Sequence, residues 1–136
     1  MTTKRHLLLI AIGPVQPFIA AARKIRDLWF GSDLLSEMSK TIARFLAEQG
    51  CALIFPAPEK ASDLDEHSAL NVANKILAWC PDGVDAKALA GKAEEEWKKY
   101  YETTFGTVLT ASSGLIDTTL FEQQRDDYGE FFAVWT

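Results

Sequence analysis

The sequence predicts an α+β fold in which helices pack on one face of an antiparallel sheet. Four short apolar segments are bounded by glycine or proline, and longer stretches between them repeat apolar residues at three- and four-residue spacing. Strand-like and helix-like segments follow one another in an order typical of a two-layer sandwich. The chain has 136 residues, of which 48% are apolar and 24% charged, as expected for one compact domain. We therefore expect a single domain over residues 1–136.

Two strands are predicted in the first half of the chain. Residues 6–12 form a continuous aliphatic run that ends at Gly13 and Pro14, which favours a central strand buried on both faces. Residues 51–55 are apolar and are closed by Pro56, which predicts the second strand.

The region between these strands is helical, with an interruption. Apolar residues recur at helical spacing from Val15 to Leu46, and Gly50 is a natural stop. The Gly31-Ser32 pair lies inside this region. One long bent helix fits the periodicity, but Ser32 followed by an acidic residue is typical of an N-cap, so we expect two helices.

The second half of the chain continues the alternation. Its predicted elements are a polar loop over 59–68, a strand over 74–80, a helix from Asp85 to just before Gly106, a loop over 107–114, a short helix over 117–127 and a strand over 131–135. The resulting βαββαβ order predicts a ferredoxin-like sandwich.

Composition excludes several functional classes. The 14 basic and 19 acidic residues give a net charge of -5, which argues against non-specific attraction to nucleic acid. Cys51 and Cys80 suit two buried thiols in a reducing compartment rather than a disulfide framework. No segment has the roughly 20 apolar residues that a membrane span needs. We expect a cytoplasmic protein that does not contact a membrane.

Residues that could carry chemistry are few. His6 and His67 are the only histidines, and the Asp65-Glu66-His67 cluster has no further ligand at suitable spacing, so a solvated loop is favoured over a metal site. Phosphate-binding loops, dinucleotide fingerprints and nucleophile elbows are absent from the sequence. The glycine-aromatic pattern of RNA-binding sheets is also absent. The sequence therefore does not predict catalysis by this chain alone.

A small basic cluster precedes the Gly-Ser pair. Arg23, Lys24 and Arg26 lie on the polar side of the predicted helix. A solvated helix face is the simpler interpretation, and docking of an acidic partner surface is the functional one.

Four stretches together resemble a known family. They are IGPVQPFIAAARKIRDLWFGSDLLSEMSK at 12–40, LIFPAP at 53–58, ALNVANKILA at 69–78 and EFFAVWT at 130–136. In this order and spacing the chain resembles the first palm-like domain of the large, polymerase/cyclase-like subunit of type III-B (Cmr-type) CRISPR effector complexes. The resemblance covers nearly the whole chain, and its first stretch is the most specific.

The resemblance implies that the full-length protein has two palms with different roles. In this family a second palm carries a Gly-Gly-Asp-Asp metal-binding hairpin that makes cyclic oligoadenylate from ATP when target RNA is bound, and some members add an HD nuclease domain. Neither motif occurs in this sequence. The resemblance therefore implies a non-catalytic fragment of a longer nucleotidyltransferase. ATP and a divalent metal would be cofactors of the full-length protein only. Its partners would be the other Cmr-type subunits, with crRNA and target RNA reached indirectly through the complex.

Four residues match family motifs and become candidates for a nucleotide site or an interface. Gly31 and Ser32 match a Gly-Ser motif, and Asn74 and Lys75 match an Asn-Arg/Lys pair, although Ala73 replaces the usual proline. Helix capping is the alternative for Ser32, a turn for Asn74 and a solvated strand end for Lys75.

Three hypotheses for function follow. The leading one is a palm that forms one wall of an ATP site used with a cyclase palm. The second is an assembly module that only docks neighbouring subunits. The third is an unrelated small α+β ligand-binding domain.

Overall fold

The computed structural model describes residues 4–13, 25–111, 114 and 130–136. Its elements are four strands, two helices and one short 3₁₀ turn. They are β1 (Leu7–Gly13), α1 (Ile25–Glu48), β2 (Ala52–Phe55), the 3₁₀ turn (Ala61–Leu64), β3 (Lys75–Trp79), α2 (Ala86–Ala111) and β4 (Glu130–Trp135). Two predictions lie outside the described residues. They are the short helix over 117–127 and the part of the first helix over 15–24.

The four strands form one antiparallel sheet in the order β2-β3-β1-β4. In β1, Leu8 lies opposite Ala78 of β3 and Trp135 of β4, and Ile10 lies opposite Ile76 and Ala133. The α+β class and its ferredoxin-like arrangement are confirmed, because the interleaved order places β1 and β3 at the centre and both helices on one side.

The core lies between the sheet and the two helices. Alternate strand residues point towards the helices, and these residues are almost fully buried together with the apolar stripes of α1 and α2. The largest apolar members of this core are Leu8, Ile10, Ile12, Ile42, Leu46, Ile76 and Trp97.

The expectation that the first strand is buried on both faces is wrong. Burial alternates along β1, and Leu9, which points away from the helices, is 38% exposed. The cause is that both described helices pack on the same face of the sheet. Alternate aliphatic residues of β1 therefore point into the core, and the residues between them point away from the helices.

The two-helix expectation is also wrong. α1 runs without interruption through Gly31 and Ser32, so Ser32 does not begin a helix. A glycine inside a helix costs only about 1 kcal/mol relative to alanine, which the long apolar stripe readily offsets. The helix ends as predicted at Gly50, whose φ of 85° lets the Cys51 N–H reach the Leu46 carbonyl at 3.0 Å.

The second helix begins as predicted and ends later than predicted. Asp85 Oδ1 accepts hydrogen bonds from the N–H groups of Lys87 at 2.9 Å and Ala88 at 3.4 Å, which confirms the N-cap. The helix then continues through Gly106 to Ala111, so the loop expected over 107–114 is wrong for its first five residues. Threonine hydroxyls that bond the carbonyl four residues earlier, as in Thr110 to Gly106 at 2.9 Å, accompany this last part.

Candidate functional site: the outer sheet face and its upper end

The sheet has one face that no described helix covers, and we call it the outer face. Its residues are the outward-pointing members of the four strands: Leu7, Leu9, Ala11, Phe55, Lys75, Leu77, Trp79, Phe132 and Val134. Phe132 is 58% exposed and Val134 65% exposed, and Phe55 and Trp79 are also exposed. Since an aromatic side chain buries 150–250 Å², the three exposed aromatic residues leave about 300 Å² of apolar surface open.

The outer face is a contiguous patch rather than a set of scattered residues. Leu9 lies opposite Leu77 on one side and Val134 on the other, so the exposed side chains form rows across the sheet. An open apolar area of about 300 Å² is at the lower end of the range for the largest patch on a typical monomer, and such patches often serve as interaction sites. An interface core is rich in aromatic residues and poor in charge, and this face fits that description.

Asn74 lies where β1 ends and β3 begins, which we call the upper end of the sheet. Its side-chain Nδ2 donates to the Ile12 carbonyl at 3.1 Å, and its own carbonyl accepts from the Ile12 N–H at 2.9 Å. These two bonds extend the pairing of β1 and β3 by one step. The Asn74 side chain therefore joins the start of β3 to the end of β1, and its role towards a nucleotide or an interface stays a prediction.

Lys75 is the charged residue of the outer face. It lies opposite Ala11, its side chain is exposed, and it has no ion-pair partner among the described residues. An ammonium group at the rim of an apolar surface can bind a phosphate or an acidic side chain of whatever packs there.

The Gly31-Ser32 pair lies in α1, on the side of the sheet opposite to Lys75. The helix is tied to the segment before β3 by a bond of 2.9 Å from the Val72 N–H to Ser36 Oγ. Ser32 precedes Ser36 by one helical turn, so the backbone of the Gly-Ser pair lies at the upper end of the sheet. The structure thus brings both motif pairs to one end of the fold without placing them on one face.

The residues proposed for partner docking are not tested by the structure. Arg26 lies in α1, but its side chain, together with all of Arg23 and Lys24, lies outside the described residues. Their role remains a prediction.

A buried polar cluster holds the upper end together, and sequence reasoning missed it. Lys40, whose side chain is 2% exposed, donates to Glu37 Oε1 at 2.8 Å and to the Ser68 carbonyl at 3.0 Å. The other Glu37 oxygen accepts the His67 N–H at 3.2 Å. The signal in the sequence is an opposite-charge pair at i, i+3 beside the apolar stripe of α1, but such pairs are usually exposed.

A groove of about 520 Å³ lies between the two helices on the far side from the outer face. Asp33, Glu37, Glu66 and Tyr100 are among its lining residues. Burial raises the pKa of Tyr100, and the nearby Glu66 carboxylate raises it further.

Within residues 4–13, 25–111, 114 and 130–136, no three His, Cys, Asp or Glu side chains are grouped so that they could hold a metal ion. His67 lies 3.7 Å from the Glu66 carboxylate in an exposed loop, as predicted for the Asp65-Glu66-His67 cluster. None of the described helices combines the length and apolarity needed to cross a membrane.

The fold and the outer face define a class: an α+β sandwich with an exposed apolar surface on one face of its sheet. Comparison with known families gives the particular one. The family model for the N-terminal region of the CRISPR-associated protein Cmr2 matches residues 7–106, which is more than half of the chain. The chain belongs to this family, and an unrelated small ligand-binding domain is excluded. No curated protein matched the chain.

Family membership establishes the coarse role. The chain is a part of the large subunit of a Cmr complex, and its partners include the other subunits of that complex.

Proposed function

We propose that this domain is the non-catalytic palm of the large subunit, and that it forms one wall of an ATP site completed by a cyclase palm elsewhere in the protein. The observation that carries the proposal is the outer face, an apolar sheet surface with Lys75 at its upper rim. A second palm packed on this face would bury the exposed aromatic residues and bring a phosphate-binding ammonium group to the seam.

The residues of the upper end suit a supporting role towards ATP. Lys75 would bind a phosphate. Asn74, through its bond to the Ile12 carbonyl, would fix the start of the strand that carries Lys75. In this proposal the divalent metal and the catalytic carboxylates come from the second palm, where they would supply cyclisation of ATP into cyclic oligoadenylate.

Titration of ATP with magnesium into the intact large subunit tests the proposal. Lys75→Ala removes a charge-assisted bond worth about 1.5–3 kcal/mol, so ATP affinity should fall by roughly tenfold or more. Ser32→Ala tests the Gly-Ser motif in the same assay. Lys87→Ala is the matched control, because Lys87 is an exposed lysine on α2, and its affinity should equal that of the unaltered protein. Unchanged ATP affinity in both Lys75→Ala and Ser32→Ala would overturn the proposal that this domain forms a wall of the ATP site.

An assembly module that never contacts nucleotide is the second candidate, and the exposed aromatic residues of the outer face favour it. A stable interface buries about 800 Å² per partner, and the open aromatic surface can form the core of one. Val134→Asp places a carboxylate in this core. Because Val134 is 65% exposed, the substitution should not prevent folding. Loss of Cmr assembly in Val134→Asp together with unchanged ATP affinity in Lys75→Ala and Ser32→Ala would select this candidate.

The 136-residue chain should make no oligoadenylate from ATP and magnesium. Synthesis by the isolated chain, measured by chromatography of the nucleotide products, would show that the catalytic groups lie in this domain.

A further inference from the structure

The two cysteines lie at the lower end of the sheet, where β1 begins and β3 ends. They form a pair that neither the palm role nor the docking role uses. Cys51 directly precedes β2 and Cys80 directly follows β3. Ala52 lies opposite Trp79 in the antiparallel register, so the next step of the same register places Cys51 opposite Cys80. Residues in this relation have Cα atoms about 4.5–5.5 Å apart, which is within the range that a disulfide spans.

Both side chains are free, buried thiols that interact with each other. Cys80 is fully buried and Cys51 is 8% exposed. Each thiol is close enough to the other to affect its pKa. Each backbone N–H is fixed by a further element, since Cys51 N–H donates to the Leu46 carbonyl at 3.0 Å and Cys80 N–H to the His6 carbonyl at 2.8 Å. The pair is held in place by α1 on one side and by β1 on the other.

We propose that Cys51 and Cys80 are a reversible dithiol that closes a cross-strand disulfide and fastens the edge strand β2 to β3. The oxidant is a peroxide, which is small enough to reach a buried thiol. The thiolate of one cysteine attacks one peroxide oxygen, the O–O bond breaks, and a sulfenic acid and hydroxide form. The sulfur of the other cysteine then attacks the sulfenic sulfur, its thiol proton is lost, and the sulfenic oxygen leaves as water. Overall, two thiols and one hydrogen peroxide give one disulfide and two water molecules.

The surroundings of the two thiols limit the rate of oxidation. Burial raises the pKa of both, to about 11 for Cys51. Because little thiolate is present at neutral pH, oxidation should be slow compared with that of an exposed cysteine.

Peroxide treatment of the folded 136-residue chain tests the proposal, with intact-mass spectrometry and peptide mapping as readouts. The chain has only two cysteines, so an intramolecular disulfide identifies the pair without ambiguity. The expected product is a folded monomer about 2 Da lighter, with a Cys51–Cys80 linked peptide that dithiothreitol separates. The closed loop of roughly 30 residues should raise Tm by roughly 7–14 °C.

Cys51→Ala is the control, and it should show neither the mass loss nor the rise in Tm. Oxygen adducts on single cysteines without a linked peptide would overturn the proposal. A disulfide that appears only in urea, or that lowers Tm, would also overturn it, because either result means that the native register does not hold the sulfurs together.

Discussion

Replacing Lys40 by methionine should destabilise the domain more than any comparable change of a surface lysine. The side chains of Lys40 and Glu37 are 2% and 6% exposed, so removing the ammonium group leaves a buried carboxylate without its counter-charge. Breaking a buried pair in this way costs about 3–5 kcal/mol. At an unfolding entropy of about 2.1 cal/mol/K per residue, 1 kcal/mol corresponds to roughly 3.5 °C for a chain of this length, so Tm should fall by roughly 10–17 °C.

Differential scanning calorimetry measures the shift, and two further variants show its cause. Lys99→Met removes an exposed lysine whose partner Glu96 lies at 3.5 Å, and it should change stability by less than about 1 kcal/mol. The double variant Glu37→Gln, Lys40→Met removes both charges and keeps an acceptor for the His67 N–H, so it should recover most of the loss. A Lys40→Met shift no larger than that of Lys99→Met, or no recovery in the double variant, would refute the reasoning.

Three further predictions concern single side chains. Ser39→Ala should raise the free energy of unfolding by about 1 kcal/mol in urea titrations, because the buried Ser39 hydroxyl has no hydrogen-bond partner among the described residues. Ser36→Ala should lower the free energy of unfolding, because it removes the acceptor of the Val72 N–H. Asp85→Ala should cost about 1 kcal/mol by the same assay, through loss of the α2 N-cap. Stability should fall as the pH rises from 9 towards 11, since native Cys51, with a pKa of about 11, keeps a proton that the unfolded thiol loses, and Cys51→Ala should weaken this dependence in urea titrations at each pH.

The strands and the sheet class were predictable because their signals are local. Gly13 and Pro56 border aliphatic runs, and Asp85 caps a helix with its own side chain. The ends of the helices were harder. Gly31 and Gly106 have low helix propensity, but a glycine costs a helix only about 1 kcal/mol relative to alanine, and α1 and α2 continue through both.

The candidate surfaces were less predictable, because they depend on which side of the sheet the helices occupy. The alternation of Phe131, Phe132 and Val134 gives no sign by itself that one row is left open. The Glu37 and Lys40 pair has the spacing of an ordinary exposed salt bridge, and only the fold of residues 66–72 over α1 buries it. Motif resemblance found Asn74, and the structure adds the contact that explains it, a bond to the end of β1.

The position of β4 has a consequence for where this domain can be cut. The family match ends at residue 106, yet β4 pairs with β1 along Leu8 to Gly13 and its Phe131 ring lies 5.8 Å from Trp97. A chain truncated at the end of the match would leave a central strand as a bare edge, ready to pair with another molecule. Since the two strands are more than 100 residues apart in sequence, this pairing also closes the longest loop of the fold, and it should form late during folding. The unit that folds is therefore longer than the range matched by the family model.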